Sequence, residues 1–167
     1  MKRFSAILFV MFLSSVLSSV FVACGCDEED PLARTYATLE YDPGTIAFAD
    51  TPVAPEERKD CQDVSKVTLN LTSVTSYTVD ITDIEITGDA EVFAYAGELP
   101  VSIPSGETKE LVFHFTPAAE DHTYSGSILF TTSEKVFWRL VGTDKQGEAE
   151  PDFTMPVTGK GIGYVAP

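Results

Sequence analysis

From Thr45 onward the chain alternates apolar and polar side chains in short runs. In "KVTLNLTS", Val67, Leu69 and Leu71 take one phase and Thr68, Asn70 and Thr72 the other. Successive strand side chains point to opposite faces, so a period of two marks a strand with one buried face. "YTVDITDIEITG" carries Tyr77, Val79 and Ile81 in one phase, then Ile84 and Ile86 in the other, with Asp83 at the slip. An extra residue in a ladder, a bulge, produces such a change. Ile46 and Phe48 alternate in "TIAFADTPV", "EVFAYAG" is a short strand, and Leu111, Phe113 and Phe115 alternate with Val112 and His114. Tyr124, Gly126, Ile128 and Phe130 share one face of "TYSGSILFTT", and "KVFWRLVG" and "FTMPVTGKGIG" complete the set. Gly, Pro, Asp and Ser separate these runs roughly every ten to fifteen residues, and helical spacing is absent after residue 23. The pattern predicts an all-β fold, an antiparallel sandwich in one domain spanning 45–163, with core enough to fold alone.

Residues 1–23 read differently. Met1-Lys2-Arg3 precedes a run that is apolar from Phe4 to Ala23 but for five serines. A basic start, an apolar middle and a small residue at the end make a secretory signal peptide, and its serines and N-terminal position favour that over an uncleaved anchor. The run ends Phe21-Val22-Ala23-Cys24. This resembles the lipobox of bacterial lipoproteins. The resemblance implies that the Cys24 thiol takes a diacylglyceryl group and that the leader is cut before it. The new amine is then acylated. Several acyl chains, at ~0.8 kcal/mol per buried CH₂, hold a protein firmly where one chain is marginal. Gly25, rather than Asp, follows the cysteine, which in a Gram-negative cell implies sorting to the outer membrane. Residues 24–44 then form a lipidated, acidic tether.

Charge narrows the partners. The full chain carries −15, and removing the leader with Lys2 and Arg3 makes it −17. Such a surface repels nucleic acid and anionic head groups, so no nucleic-acid partner is expected. The expected partners are the membrane, through the N-terminal lipid, and another envelope protein. With Cys24 acylated, Cys26 and Cys61 remain. In an oxidising compartment they are a candidate disulfide closing about 35 residues, worth about 3–4 kcal/mol if unstrained. Two free thiols, or a bond to another protein, are the alternatives. Three cysteines without clustered histidines make no zinc pattern.

Three motifs stand in order along the domain: "TLNLTSVTSYTVDITDIEITGD", "IPSGETKELVFHFTP", and "TYSGSILFTT" followed by "MPVTGKGIG". Together they resemble the immunoglobulin-like family that includes the ASH, major sperm protein and bacterial choice-of-anchor D domains. The resemblance implies an immunoglobulin-like β-sandwich over about residues 45–163 and a protein-binding or scaffold role. Gly106 suits a tight turn, Pro117 the end of a strand, and Gly126 a bulge or a close backbone approach. The stretch 133–152, "SEKVFWRLVGTDKQGEAEPD", is longer than usual for this family and predicts an extra hairpin with 143–147 at its tip.

Candidate chemistry is sparse. His114 falls opposite Leu111, Phe113 and Phe115, and His122 falls in a turn beside Asp121. Neither has the nucleophile and orienting group that a triad needs. Asp80, Asp83, Glu85 and Asp89 are close in sequence, but Ca²⁺ needs six to eight converging oxygens and no calcium-loop spacing occurs. Asn70-Leu71-Thr72 fits a glycosylation pattern but reads as strand polarity. Trp138 is the best candidate for a surface contact, although core packing or hairpin pairing is the favoured reading of it. The expectation is therefore a lipid-anchored cell-envelope protein with a non-enzymatic binding or structural module, without a cofactor or metal. A carbohydrate- or cation-binding sandwich is the alternative.

Overall fold

The computed structural model describes residues 36–164 apart from 57, 59–61 and 145–146. Ten strands make up this part: β1 (Ala37–Asp42), β2 (Ile46–Ala47), β3 (Thr51–Pro52), β4 (Ser65–Ser73), β5 (Val79–Gly88), β6 (Phe93–Tyr95), β7 (Val101–Ile103), β8 (Thr108–Phe115), β9 (Thr123–Leu140) and β10 (Glu150–Ile162). A 3-10 turn, Ala90–Val92, leads into β6.

The strands form two facing layers. One runs β6-β8-β4-β1 and ends on the second half of β9; the other runs β7-β5, the first half of β9, then β10, with β2 and β3 along the edge of β10. β9 is shared. Its residues up to Thr132 pair with β5 and β10, whereas Val136 to Leu140 pair with β1. Four residues of β9 lie between the Asp152↔Thr131 and Glu150↔Val136 pairs, so the strand bends over the end of the sandwich there. The Phe130 and Trp138 rings, from the two halves, lie 6.2 Å apart across the interior. The predicted extra hairpin is therefore not a separate unit: residues 136–140 are the returned half of β9. Pairing is mostly antiparallel, as expected, but β1 runs parallel to β9, and β2 and β3 run parallel to β10. Both β1 and the returned half of β9 lead away from the same bend, so they share a direction.

The predicted phases hold within the strands, but Tyr77, expected in phase with Val79 and Ile81, falls in the turn before β5 and is 51% exposed. Leu69 and Leu71, Leu111, Phe113 and Phe115, and Ile128 and Phe130 are buried on the inner faces. A fully buried side chain of this size contributes about 1.5–3 kcal/mol. Edge contacts between Phe113 and Phe130 (6.2 Å) and between Phe115 and Tyr124 (5.6 Å) join the layers. The phase slip in β5 is a bulge: Ile81 faces Thr132 and Asp83 faces Thr131, leaving Thr82 over. Its hydroxyl donates to the Thr131 carbonyl at 3.1 Å. Beyond it, Ile84 and Ile86 pack against the core from the other phase. Gly126 is the close approach the sequence suggested, since a Cβ there would press on the Thr87 carbonyl oxygen.

One boundary moves. Residues 37–42, assigned above to the tether, form a strand between β4 and β9, with Leu39 fully buried. The run "ATLEYD" is too short and mixed to stand out by periodicity. Its burial comes from neighbours that the sequence places about 30 and 100 residues away.

Tyr124 ties the start of β9 to the preceding turn. Its hydroxyl oxygen accepts the backbone N–H groups of Ala118 (3.0 Å) and Ala119 (2.7 Å). A tyrosine at that position reaching back a few residues is a hallmark of immunoglobulin-type sandwiches.

Candidate functional site

The register gives the sandwich two distinct ends. At one end lie Tyr36, the turn 74–78, the turn 104–107 and the bend of β9. The Val74 N–H donates to the Thr38 carbonyl, the Gly106 N–H to the Ser73 carbonyl, and the Ser105 hydroxyl to the Thr75 carbonyl. At the other end lie residues 53–56 and 62–64, the 117–122 turn and the tail of β10. There Gln62 acts like a strand fragment: its Nε2 donates to the Pro52 carbonyl and its Oε1 accepts the Ala54 N–H, at 2.8 and 2.7 Å.

Cys24, Cys26 and Cys61 lie outside the described residues.

Trp138 is not a surface contact. It is 8% exposed, and its ring stacks on Phe153 at 4.7 Å and 14°. Phe153 also touches Tyr41 at 4.7 Å. These rings fill the space between β1, β9 and β10, which is why the indole faces inward. The Trp138 Nε1–H is buried without a protein acceptor.

The histidines are set apart. His114 lies on the outer face, level with Lys66 on β4 and Ala94 on β6. His122 meets Tyr124 edge-on at 4.5 Å, and its carbonyl accepts the Gly161 N–H at 2.9 Å. The acids act as local clasps. Asp80 accepts the Ser102 hydroxyl at 2.5 Å, Asp89 the Ser125 N–H at 2.8 Å, and Asp152 the Thr131 hydroxyl at 2.9 Å. Asp83 accepts the N–H of Ile84 at 2.9 Å. Strung along β5 and its turns, Asp80, Asp83, Glu85 and Asp89 do not converge. Among the described residues no group of three His, Cys, Asp or Glu is placed to hold a metal ion.

One stretch of sheet has an open side. Within the described residues, β7 covers β5 only over 79–81, so residues 83–88 pair with β9 alone. Asp83, Glu85 and Thr87 are exposed along this edge, while Ile84 and Ile86 are half-buried toward the core. No motif announced this site. Its signal in the sequence is Pro100: β7 begins at Val101 opposite Ile81, and a proline before it has no N–H to carry the ladder further along β5.

No protein-family model matches the chain, and no curated protein matches it. Solved structures are similar. A protein of unknown function from Porphyromonas gingivalis W83 aligns with a TM-score of 0.51 and 10% identity, over 75% of this chain and 48% of that one. The chain therefore spans about half of that protein. The ASH/PapD-like domain 7 of human CEP192 aligns at 0.45 and 12% identity, over 77% of this chain and 87% of that one. WR4, a C. elegans MSP family member, aligns at 0.45 and 11%, over 76% and 100%. At such identities likeness speaks of fold alone. With its two facing layers and its tyrosine corner, the described part of the chain is an immunoglobulin-like β-sandwich.

Proposed function

We propose that this chain is a lipoprotein of the bacterial cell envelope whose sandwich is a non-enzymatic binding or structural module. One observation carries the proposal: Val22-Ala23-Cys24 closes a basic-then-apolar leader, with a folded domain starting twelve positions beyond the cysteine. In this reading Cys24 carries the lipid, and Gly25 directs the protein to the outer membrane of a Gram-negative cell. The module's contact is the open edge of β5. An extended segment of another envelope protein would add as a strand to residues 83–88. Its apolar side chains would meet Ile84 and Ile86, and its lysines or arginines would meet Asp83 and Glu85.

Mass spectrometry of the mature N-terminus tests the anchor. The expected product begins at an acylated Cys24, and Cys24→Ser abolishes both acylation and membrane retention. A mature protein that begins elsewhere, unmodified, overturns the proposal. For the module, the paired substitution Asp83→Lys and Glu85→Lys is expected to abolish crosslinking to an envelope partner while thermal unfolding stays cooperative. Unchanged crosslinking removes the β5 edge from the assignment.

A further inference from the structure

Two of the five large apolar side chains exposed among the described residues, Val74 (41%) and Tyr77 (51%), sit in one turn. That turn joins β4 to β5 at the end where Tyr36 enters the fold. It is pinned to the entry point, since the Val74 N–H donates to the Thr38 carbonyl at 3.1 Å. The Ser73 hydroxyl donates to the Tyr77 carbonyl at 2.9 Å and holds the turn's far side. Beside it, Tyr36 and Phe137 meet edge-on at 5.7 Å, both half-buried. Two acids at this end are paired with lysines, Glu107 with Lys109 at 3.5 Å and Glu150 with Lys135 at 3.7 Å, while Glu134 in the bend of β9 is exposed. The turn itself carries no charged side chain: Val74 and Tyr77 stand among Thr75, Ser76 and Thr78.

Resting on the lipid-anchor reading above, we propose that this end of the sandwich lies on the bilayer, with Val74 and Tyr77 in the headgroup layer. Covalent reach favours this end. Twelve positions separate Cys24 from Tyr36, so the tether spans at most about 40–43 Å. To seat the opposite end on the membrane, it would have to run back along the full length of β4, about 27 Å. A tyrosine is suited to the interface, with its ring among the acyl carbons and its hydroxyl in water. The tether's "DEED" disfavours anionic lipid, so the surface is a zwitterionic one. The open edge of β5 then stands to the side, free for a partner.

The test uses the acylated full chain in vesicles of brominated phosphatidylcholine. Tryptophan is placed at Tyr77→Trp or, as the control at the opposite end, at Val64→Trp, each in a Trp138→Phe background. The expected result is at least twofold quenching of the Tyr77→Trp protein and none of the Val64→Trp protein. A vesicle-bound Tyr77→Trp protein that is unquenched, or the two proteins quenched alike, overturns the proposal and leaves the anchor standing. Protein that does not float with the vesicles overturns both. Hydrogen exchange on the unaltered chain is the second measurement. Residues 73–78 are expected to gain protection on vesicles relative to a soluble Cys24→Ser form; a gain at 53–56 and 62–64 instead, or none, overturns the proposal.

Discussion

The two halves of β9 belong to one strand and teach different things. The first, Tyr124 to Thr132, lies between β5 and β10, antiparallel to both, and buries Ile128 and Phe130 completely. The second, Val136 to Leu140, runs parallel to β1 in the opposite layer and buries Val136 and Trp138. Even-numbered residues face inward in both. Phase alone does not tell them apart; the difference is the bend at 133–135, whose side chains are all exposed. A strand can change layers when a short polar stretch at the end of the sheet lets it fold back while the apolar positions on either side stay in register with the core.

If the returned half is as much a part of the core as the first, the largest truncations should cost alike. Phe130→Ala and Trp138→Ala are each expected to lose about 3–5 kcal/mol of stability in urea denaturation followed by circular dichroism. A Trp138→Ala loss below about 1 kcal/mol would make the returned half an appendage. Next in size, Gly126→Ala is expected to cost about 1–3 kcal/mol, because the added carbon pushes β9 away from β5 at Thr87. No change in the urea midpoint would mean that the two strands are not in close contact there.

Trp138→Phe sharpens the comparison. The indole N–H has no protein acceptor, so losing it costs little, and the phenyl keeps a ring to stack on Phe153; the expected loss, about 1–3 kcal/mol, is that of the volume given up and is smaller than for Trp138→Ala. A loss equal to that of Trp138→Ala would show that a ring alone does not fill the site. Smaller still is the link between β1 and the returned half, the Glu40–Arg139 pair at 2.6 Å. It is partly exposed, so Glu40→Gln is expected to cost about 0.2–1 kcal/mol, and the difference should shrink in high salt.

The smallest effect is alkaline. Burial raises the hydroxyl pKa of Tyr41 and of Tyr95 above the ordinary value of 10.0. In the unfolded chain these groups ionise first as pH rises. Their contribution is therefore complete below pH 10 and is lost as pH climbs through the raised folded values. Urea midpoints should be level from pH 8 to 10 and fall above it, and Tyr41→Phe should flatten that fall. An identical decline in the variant would exclude Tyr41.

Much of the fold was legible because period-two alternation reports a buried face directly. The Leu69–Leu71 and Phe113–Phe115 runs, and the slip between Ile81 and Ile84, were read correctly for that reason. Residues 37–42 read as tether because their burial depends on elements distant in sequence, and the same dependence left Trp138 open between surface contact and core. β1 is covered by β4 and β9, and the indole by Phe153 on β10. Edges are set the same way, since Pro100 marks where β7 begins but only the sheet shows that this lies opposite Ile81.

The sequence by itself determined that the domain is built of strands, which side chains face inward, and where β5 changes phase. These are local properties of a pleated backbone, on which neighbouring side chains alternate. Only the tertiary structure decided which strands pair, that β9 folds back into the opposite layer, and that the chain enters the sandwich beside Val74 and Tyr77. Pairing between strands 30 or 100 residues apart is chosen by the fit of complementary surfaces, and no single stretch of the chain contains both of those surfaces.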